Sequence, residues 1–348
     1  MFHGSYSDQD VTLLLEPVAA SETAGTEFAA KVAAEFAPSR NYEMWFWTAV
    51  DGVAQRLARD VATVAAALHR SMSGPITLVT LVRAGTPTGV LLQRALRRLG
   101  HESVHYSISS VRGRGIDEAA LDYIVEHHAQ ESIVFVDGWT GKGFIAAELD
   151  ESIARYNQTR GTALEPSLVV LADLAGVSSL AASGDDYLIP FSMLLGTICG
   201  LIGGSFANDK PGHFDRVLYF DTLADRDISV RFIERMEPLV NKALRDVPQQ
   251  ITWSGSQREA LRRISEGFVA DCITRYGLDG SNAVKPGICE AYRALLTRSV
   301  PMQLLVRDPQ ADAIELRSLY NLADGKDVVV EQRTDMPYRA AIVLSPKR

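Results

Sequence analysis

Three short stretches combine glycine with residues able to hold negative charge: 82-VRAGTPTG-89, 109-SSVRGRGID-117 and 136-VDGWTGKG-143. In the first, Gly85 and Gly89 bracket a Thr-Pro step at the start of a helix-forming run. Backbone N–H groups around Ala84 and Thr86, the positive helix end and the forked donors of Arg83 then face one spot. Such a turn is an anion cradle, and a plain strand-to-helix connection with a surface arginine is spelled the same way. In the third stretch Asp137 ends a strand, Gly138, Gly141 and Gly143 admit the main chain close to an anion, Thr140 adds a hydroxyl donor and Lys142 adds charge. This is not a Walker A loop, because two residues separate Gly138 from Gly141 and Gly143 stands where a magnesium-binding hydroxyl belongs. Between them, Arg112 and Arg114 alternate with glycines, a cationic loop suited to folding over a polyphosphate and excluding water, or to ordinary surface mobility.

The pattern around these loops is what must position them. The runs 76-ITLVTLV-82, 103-SVHYSIS-109, 132-SIVFV-136 and 167-SLVVLAD-173 read as strands, and 88–100, 117–129 and 143–156 read as the helices between them. Uninterrupted Val/Ile/Leu strands joined by helices require a parallel sheet buried on both faces, so the fold class is α/β. In such sheets ligands bind beyond the C-terminal strand ends, where all three loops fall. The strand 216-RVLYF-220 is assigned to the same sheet, and 228–244 to a helix closing the domain. A linker, 246-DVPQQITWSGSQ-257, separates a domain over 1–250 from a smaller α/β unit over 251–348. The smaller unit is expected to hold helices near 258–275, 287–298 and 311–323, with strands at 302–306, 327–331 and 340–344.

Composition narrows the class. A chain of 348 residues, 47% hydrophobic, with 35 Lys and Arg against 43 Asp and Glu, is no disordered chain, collagen or small disulfide scaffold. Residues 251–348 carry 14 basic and 12 acidic side chains, a contrast that a solvated surface explains without any polyanion. Cys199, Cys272 and Cys289 form no CxxC pair, and MFHGSYSDQD lacks the basic flank and apolar stretch of a secretory leader, so a reducing cytoplasm is expected. The uncharged run 187–208 is broken by Pro190 and glycines. It reads as a buried helix with a Gly-rich end, and no membrane span is expected. The cluster 42-YEMWFW-47 reads as core, His127 and His128 as helix-terminal residues without metal spacing, and Asp173 and Asp221 as strand-end acids that could line a second-substrate site.

In order and spacing, the strand–VRAGTP–helix, basic loop and strand–VDGWTGKG–helix resemble type I phosphoribosyltransferases. GSYSDQDVTLLL (4–15), LVRAGTP (81–87), RGRGID (112–117) and VDGWTGKG (136–143) are similar to a subgroup associated with tellurite-resistance and stress gene clusters, often labelled StiP. Within residues 284–308 and 336–344 the second unit looks like the Pelota/L7Ae-type RNA-binding domain that accompanies this subgroup.

The resemblance implies a transferase that binds PRPP, or a related phosphorylated ribose, with Mg²⁺ and displaces pyrophosphate by a base or other nucleophile. Arg83, Ala84, Gly85 and Thr86 would hold pyrophosphate. Arg112 and Arg114 would stabilise the leaving group, and Asp137 would face the ribose. Gly138, Thr140, Gly141, Lys142 and Gly143 would hold the 5-phosphate. Mg²⁺ would rest on substrate phosphates and waters, with no dedicated protein ligands. One departure is the single acid, Asp137, where ordinary members have two adjacent acids before a longer loop. Two other readings follow. A PRPP-sensing or RNA-binding stress protein would use Lys285, Arg293, Arg298 and Arg339 on RNA phosphates. A cysteine protease would use Cys199, which lies near His213 and Asp215 in sequence; similar proteins carry that label. A homodimer is compatible with each.

Overall fold

The computed structural model describes residues 3–23, 38–111, 113–247, 253–297, 302–309 and 314–344. The expected strands form as Ile76–Leu81, Ser103–Ile108, Ile133–Val136 and Leu168–Asp173. Their sheet runs in the order Thr12–Leu13, Ser103–Ile108, Ile76–Leu81, Ile133–Val136, Leu168–Asp173, Leu180–Ser183, with Trp139–Thr140 also pairing with Leu168–Asp173. Every pairing in it is parallel. Ile76–Leu81 and Leu168–Asp173 are buried at every position, which is why they show no polar alternation.

Helices Gly85–Arg98, Glu118–His127 and Phe144–Arg160 connect the strands. Asp117 caps the second by accepting from Ala119 N and Ala120 N. A 32-residue helix, Arg40–Ser71, lies against the sheet, opened by Ser39 accepting from Tyr42 N. Its buried positions, including Phe46, Ala49, Val50, Val53, Leu57, Val61 and Leu68, recur three and four apart and make one apolar stripe. The aromatic cluster at its start is therefore divided: Tyr42 and Phe46 enter the core, while Met44 is 60% exposed.

Two expectations are corrected. Arg216–Tyr219 does not join the main sheet but forms a separate one, antiparallel to Ile202–Phe206 and parallel to Glu16–Ala19. The run 187–208 is buried but is no α-helix: it makes the 3₁₀ turns Pro190–Ser192 and Gly196–Ile198 and then the strand Ile202–Phe206. Pro190 donates no N–H, Leu201 has a φ of 62°, and Gly196 and Gly203 lie so close to the Phe220 ring that a Cβ would come within 2.6 and 2.8 Å of it. The segment trades helical hydrogen bonds for close packing.

A four-stranded sheet, ordered Val284–Pro286, Ala340–Leu344, Met302–Val306, Val329–Gln332, follows later in the chain with helices Gly255–Tyr276, Ile288–Thr297 and Ile314–Asp324. Helix Ile288–Thr297 packs into the same apolar cluster as Phe46 and Phe191 through Ile288, Tyr292 and Leu295. Asp186 ties the two parts by accepting from Ile288 N at 2.8 Å and Arg339 N at 2.7 Å. Among the described residues, no helix is long and apolar enough to cross a membrane.

The N-terminal segment is fastened by charge. The buried Asp10 carboxylate receives two bonds from Arg94 at 2.8 Å and one from Arg97 at 2.9 Å, and Arg94 also reaches Glu237 at 2.6 Å. Although burial opposes it, this pairing holds the Asp10 carboxyl below its ordinary range.

Candidate functional site

At the C-terminal edge of the main sheet a cleft of about 330 Å³ opens. Thr80 pairs with Val136, so the loops after these two strands emerge side by side and bring Arg83 and Asp137 onto the same cleft. Ala84, Ser110, Trp139, Thr140, Gly141, Lys142, Gly143 and Glu148 complete that side. Lys285, Glu290, Arg293 and Thr297 form the opposite wall. Two glycines are required by close approach: a Cβ on Gly85 would lie 2.9 Å from the Val136 carbonyl, and one on Gly141 would lie 2.7 Å from Glu290 Cγ.

Within the cleft, Asp137 Oδ1 accepts from Gly138 N at 2.7 Å. Burial pushes the Asp137 carboxyl up to about 6, with Glu290 adding to the shift and the Gly138 N–H and Arg293 opposing it. Trp139 Nε1 donates to Glu290 Oε1 at 3.1 Å, and the Arg293 guanidinium lies 5.7 Å from the centre of the Trp139 ring. The Thr140 hydroxyl donates inward to Asp173 Oδ1 at 2.5 Å, and the Lys142 ammonium donates to the Ser281 carbonyl.

The raised Asp137 pKa has a consequence for stability. Its carboxylate is disfavoured in the fold, so its contribution is most favourable at low pH and declines as pH rises toward and through about 6. Asp137→Asn keeps the acceptor without the charge. At pH 8 the variant is expected to be more stable by on the order of 1–2 kcal/mol, with the difference gone near pH 4. Urea unfolding at both pH values checks this, and a variant less stable at pH 8 would contradict it.

Several expected residues lie elsewhere. Thr86 is fully buried and hydrogen-bonded to Ser107 at 2.9 Å, and Gly138 packs on the Phe191 ring. The basic loop is a tight hairpin, Ser110–Val111 against Gly115–Ile116. Arg114 points away from the cleft to Asp209, at 2.7 Å, on a different groove that holds Asp117, His213 and Asp215. Its assigned catalytic role is corrected on that geometry. Arg112 and Arg298 lie outside the described residues. Arg339 pairs with Glu315. Asp173 is spent on Thr140, Ala175 and Ser178, and Asp221 binds Ser21 on the surface, so neither lines a second-substrate site. Trp139, inside the VDGWTGKG stretch but given no role there, and Glu148 and Glu290, outside every motif, also belong to the cleft. Among the described residues, no group of three or more His, Cys, Asp or Glu side chains is placed to hold a metal.

The thiols are all buried. Cys199, 1% exposed, follows the turn Gly196–Ile198, with its N–H on the Gly196 carbonyl at 3.0 Å. The N-terminal segment lies over it. The Tyr6 hydroxyl donates to the Ile198 carbonyl at 2.9 Å, the Tyr6 ring faces Gly200, and a Cβ on Gly4 would meet the Gly200 carbonyl at 2.6 Å. The Gly200 N–H donates to Ser229 Oγ at 2.8 Å. His213 and Asp215, close in sequence, are not its partners in space. Ile202 pairs with Tyr219 and Phe206 with Arg216, so Cys199 and His213 lie beyond opposite ends of a two-stranded ribbon about 13 Å long. His213 instead bonds Glu16 at 2.7 Å, and Asp215 accepts from Asn208 N at 2.9 Å. Burial pushes the Cys289 thiol well up, and it bonds the Tyr187 carbonyl at 3.3 Å. Burial also raises Cys272, against which Arg333 donates at 3.3 Å.

The chain is thus a mixed α/β protein with a parallel central sheet and a polar cleft at its C-terminal edge. Residues 4–237 match the family described as tellurite-like stress resistance cysteine protease StiP, and residues 263–346 match the PELOTA RNA binding domain. The chain belongs to the StiP family. It is 38% identical to the cysteine protease StiP of Acinetobacter baylyi over 99% of this chain and 94% of that relative. Solved structures that match part of the chain include a hypoxanthine phosphoribosyltransferase of Trypanosoma cruzi with IMP (14% identity, 52% of this chain and 89% of that chain, TM-score 0.30). Another is a phosphoribosyltransferase of Leishmania tarentolae with GMP (15% identity, 38% and 79%, TM-score 0.27). Likeness at that depth supports no statement about activity. Phosphoribosyl transfer from PRPP, the first expectation, is corrected here: the family and a full-length relative are named as cysteine proteases. The resemblance to StiP and to Pelota stands.

Proposed function

We propose that the chain is a thiol-dependent peptide hydrolase of stress resistance in which Cys199 is the nucleophile. One observation carries this. Within residues 4–237, the part matched to a family named for cysteine proteolysis, Cys199 is the sole cysteine; Cys272 and Cys289 both fall in the part matched to Pelota. The reaction is acyl transfer: the Cys199 sulfur adds to the scissile carbonyl, the thiol proton goes to the departing amine as the C–N bond breaks, and water then cleaves the thioester, its hydroxyl going to the acyl group and its proton back to the sulfur. Beneath Tyr6 the thiol is sheltered, so turnover requires the N-terminal segment to lift. Cleavage of denatured casein should therefore be blocked by iodoacetamide once Cys199 is alkylated. Full activity after complete alkylation of Cys199 would refute the assignment.

A second activity, RNA binding by residues 263–346, is proposed from the description of the domain they match. Of the basic residues expected to serve it, Lys285 and Arg293 face the cleft, where Arg83 and Asp137 also stand. We assign this cleft, with Ala84, Gly141, Lys142 and Gly143, to ligand binding.

A further inference from the structure

We propose that the cleft between Arg83 and Arg293 receives the phosphorylated end of a single-stranded RNA, one nucleotide deep. The inference rests on the RNA-binding reading of residues 263–346 and names what that RNA does at the main sheet.

The first argument is placement. Arg83 leaves the main sheet while Lys285 and Arg293 come from the part matched to an RNA-binding domain, and all three line one cleft. A strand held by that part is led directly to the strand ends of the other. The second is size. About 330 Å³ is at the lower end of small-ligand pockets, enough for one nucleotide and too little for a duplex.

Surface chemistry is the third. Trp139 is buried against Phe191, and its N–H on Glu290 and its ring 5.7 Å from the Arg293 guanidinium hold those two side chains in the cleft wall, leaving Arg293 as the planar cation on which an unpaired base can stack. Charge is the fourth. Arg83, Lys142, Lys285 and Arg293 face Asp137, Glu148 and Glu290, leaving the lining net positive, and a terminal phosphate, with up to two charges, gains more there than an internal one. Lastly, Gly141 lies close against Pro286 and Glu290, so the glycine loop of the sheet and the RNA-binding part meet in the cleft itself.

The test is fluorescence anisotropy on the full chain with an unstructured ten-nucleotide RNA bearing a terminal phosphate or a terminal hydroxyl. Each end is tried in turn, with AMP and UMP as competitors. We expect removal of the phosphate at one end to weaken binding at least about ten-fold. Arg83→Ala should reduce that difference to about two-fold or less, and Arg83→Lys should restore part of it. Equal binding of phosphate and hydroxyl forms at both ends would overturn the cleft proposal and leave the RNA reading intact. Competition by AMP or UMP at the affinity of the oligonucleotide would overturn it in favour of a free nucleotide. No binding of either RNA would overturn the RNA reading itself, and the proposal with it.

Discussion

Cys199→Ser should lower the rate of peptide cleavage by at least about 10³-fold, while Cys272→Ser and Cys289→Ser stay within about two-fold of the native chain. Serine nearly matches cysteine in size, so the fold at the turn Gly196–Ile198 should be kept. A hydroxyl ionises far less readily than a thiol, and without a base strong enough to take its proton it does not replace a thiolate. Cys272 and Cys289 act as packing residues with hydrogen bonds, to Arg333 and to the Tyr187 carbonyl, that a serine can also make. Casein or fluorogenic peptide turnover, with circular dichroism as the control for folding, measures all three. A Cys199→Ser variant with native turnover would end the account.

Asp10→Ala should uncover the same thiol. Its carboxylate is the anchor that Arg94 and Arg97 share, and loss of one partner from a buried ion pair costs roughly 3–5 kcal/mol, the lower figure here because Arg94 keeps Glu237. With the anchor gone, the segment carrying Gly4 and Tyr6 should detach more often, and alkylation of Cys199 by iodoacetamide should accelerate at least about ten-fold. In the native chain the same anchor should weaken with acid, read by urea unfolding because alkylation needs the thiolate and itself slows as pH falls. Because the folded Asp10 pKa is lowered, its stabilisation is present above the unfolded value of 3.8 and is lost as pH falls through the folded one. A time course followed by mass spectrometry, with urea unfolding alongside, decides this. Reduced stability with an unchanged Cys199 rate would show that the N-terminal segment is not the cover.

The sheet was readable because its strands are buried on both faces and their composition says so. Ile76–Leu81 and Leu168–Asp173 contain nothing that alternates. The loops after them were readable because a backbone that turns tightly needs glycine, and Gly85 and Gly141 meet that demand. An apolar run, by contrast, does not name its partner strand, which is why Arg216–Tyr219 was placed in the wrong sheet and 187–208 read as a helix. Long-range charge was equally silent. Arg114 is drawn off the cleft by Asp209, 95 residues away, and Glu290 enters it 153 residues after Asp137. Function was the least legible. Glycine loops at a strand edge describe a place where anions can bind, and they say nothing of the thiol chemistry proposed for Cys199.

The most direct measurement is to treat the active chain with an electrophilic peptide that traps cysteine nucleophiles, and to map the adduct by mass spectrometry. The account predicts a single adduct on Cys199, formed in proportion to lost activity. An adduct on Cys272 or Cys289, or full inhibition with Cys199 unmodified, would contradict it.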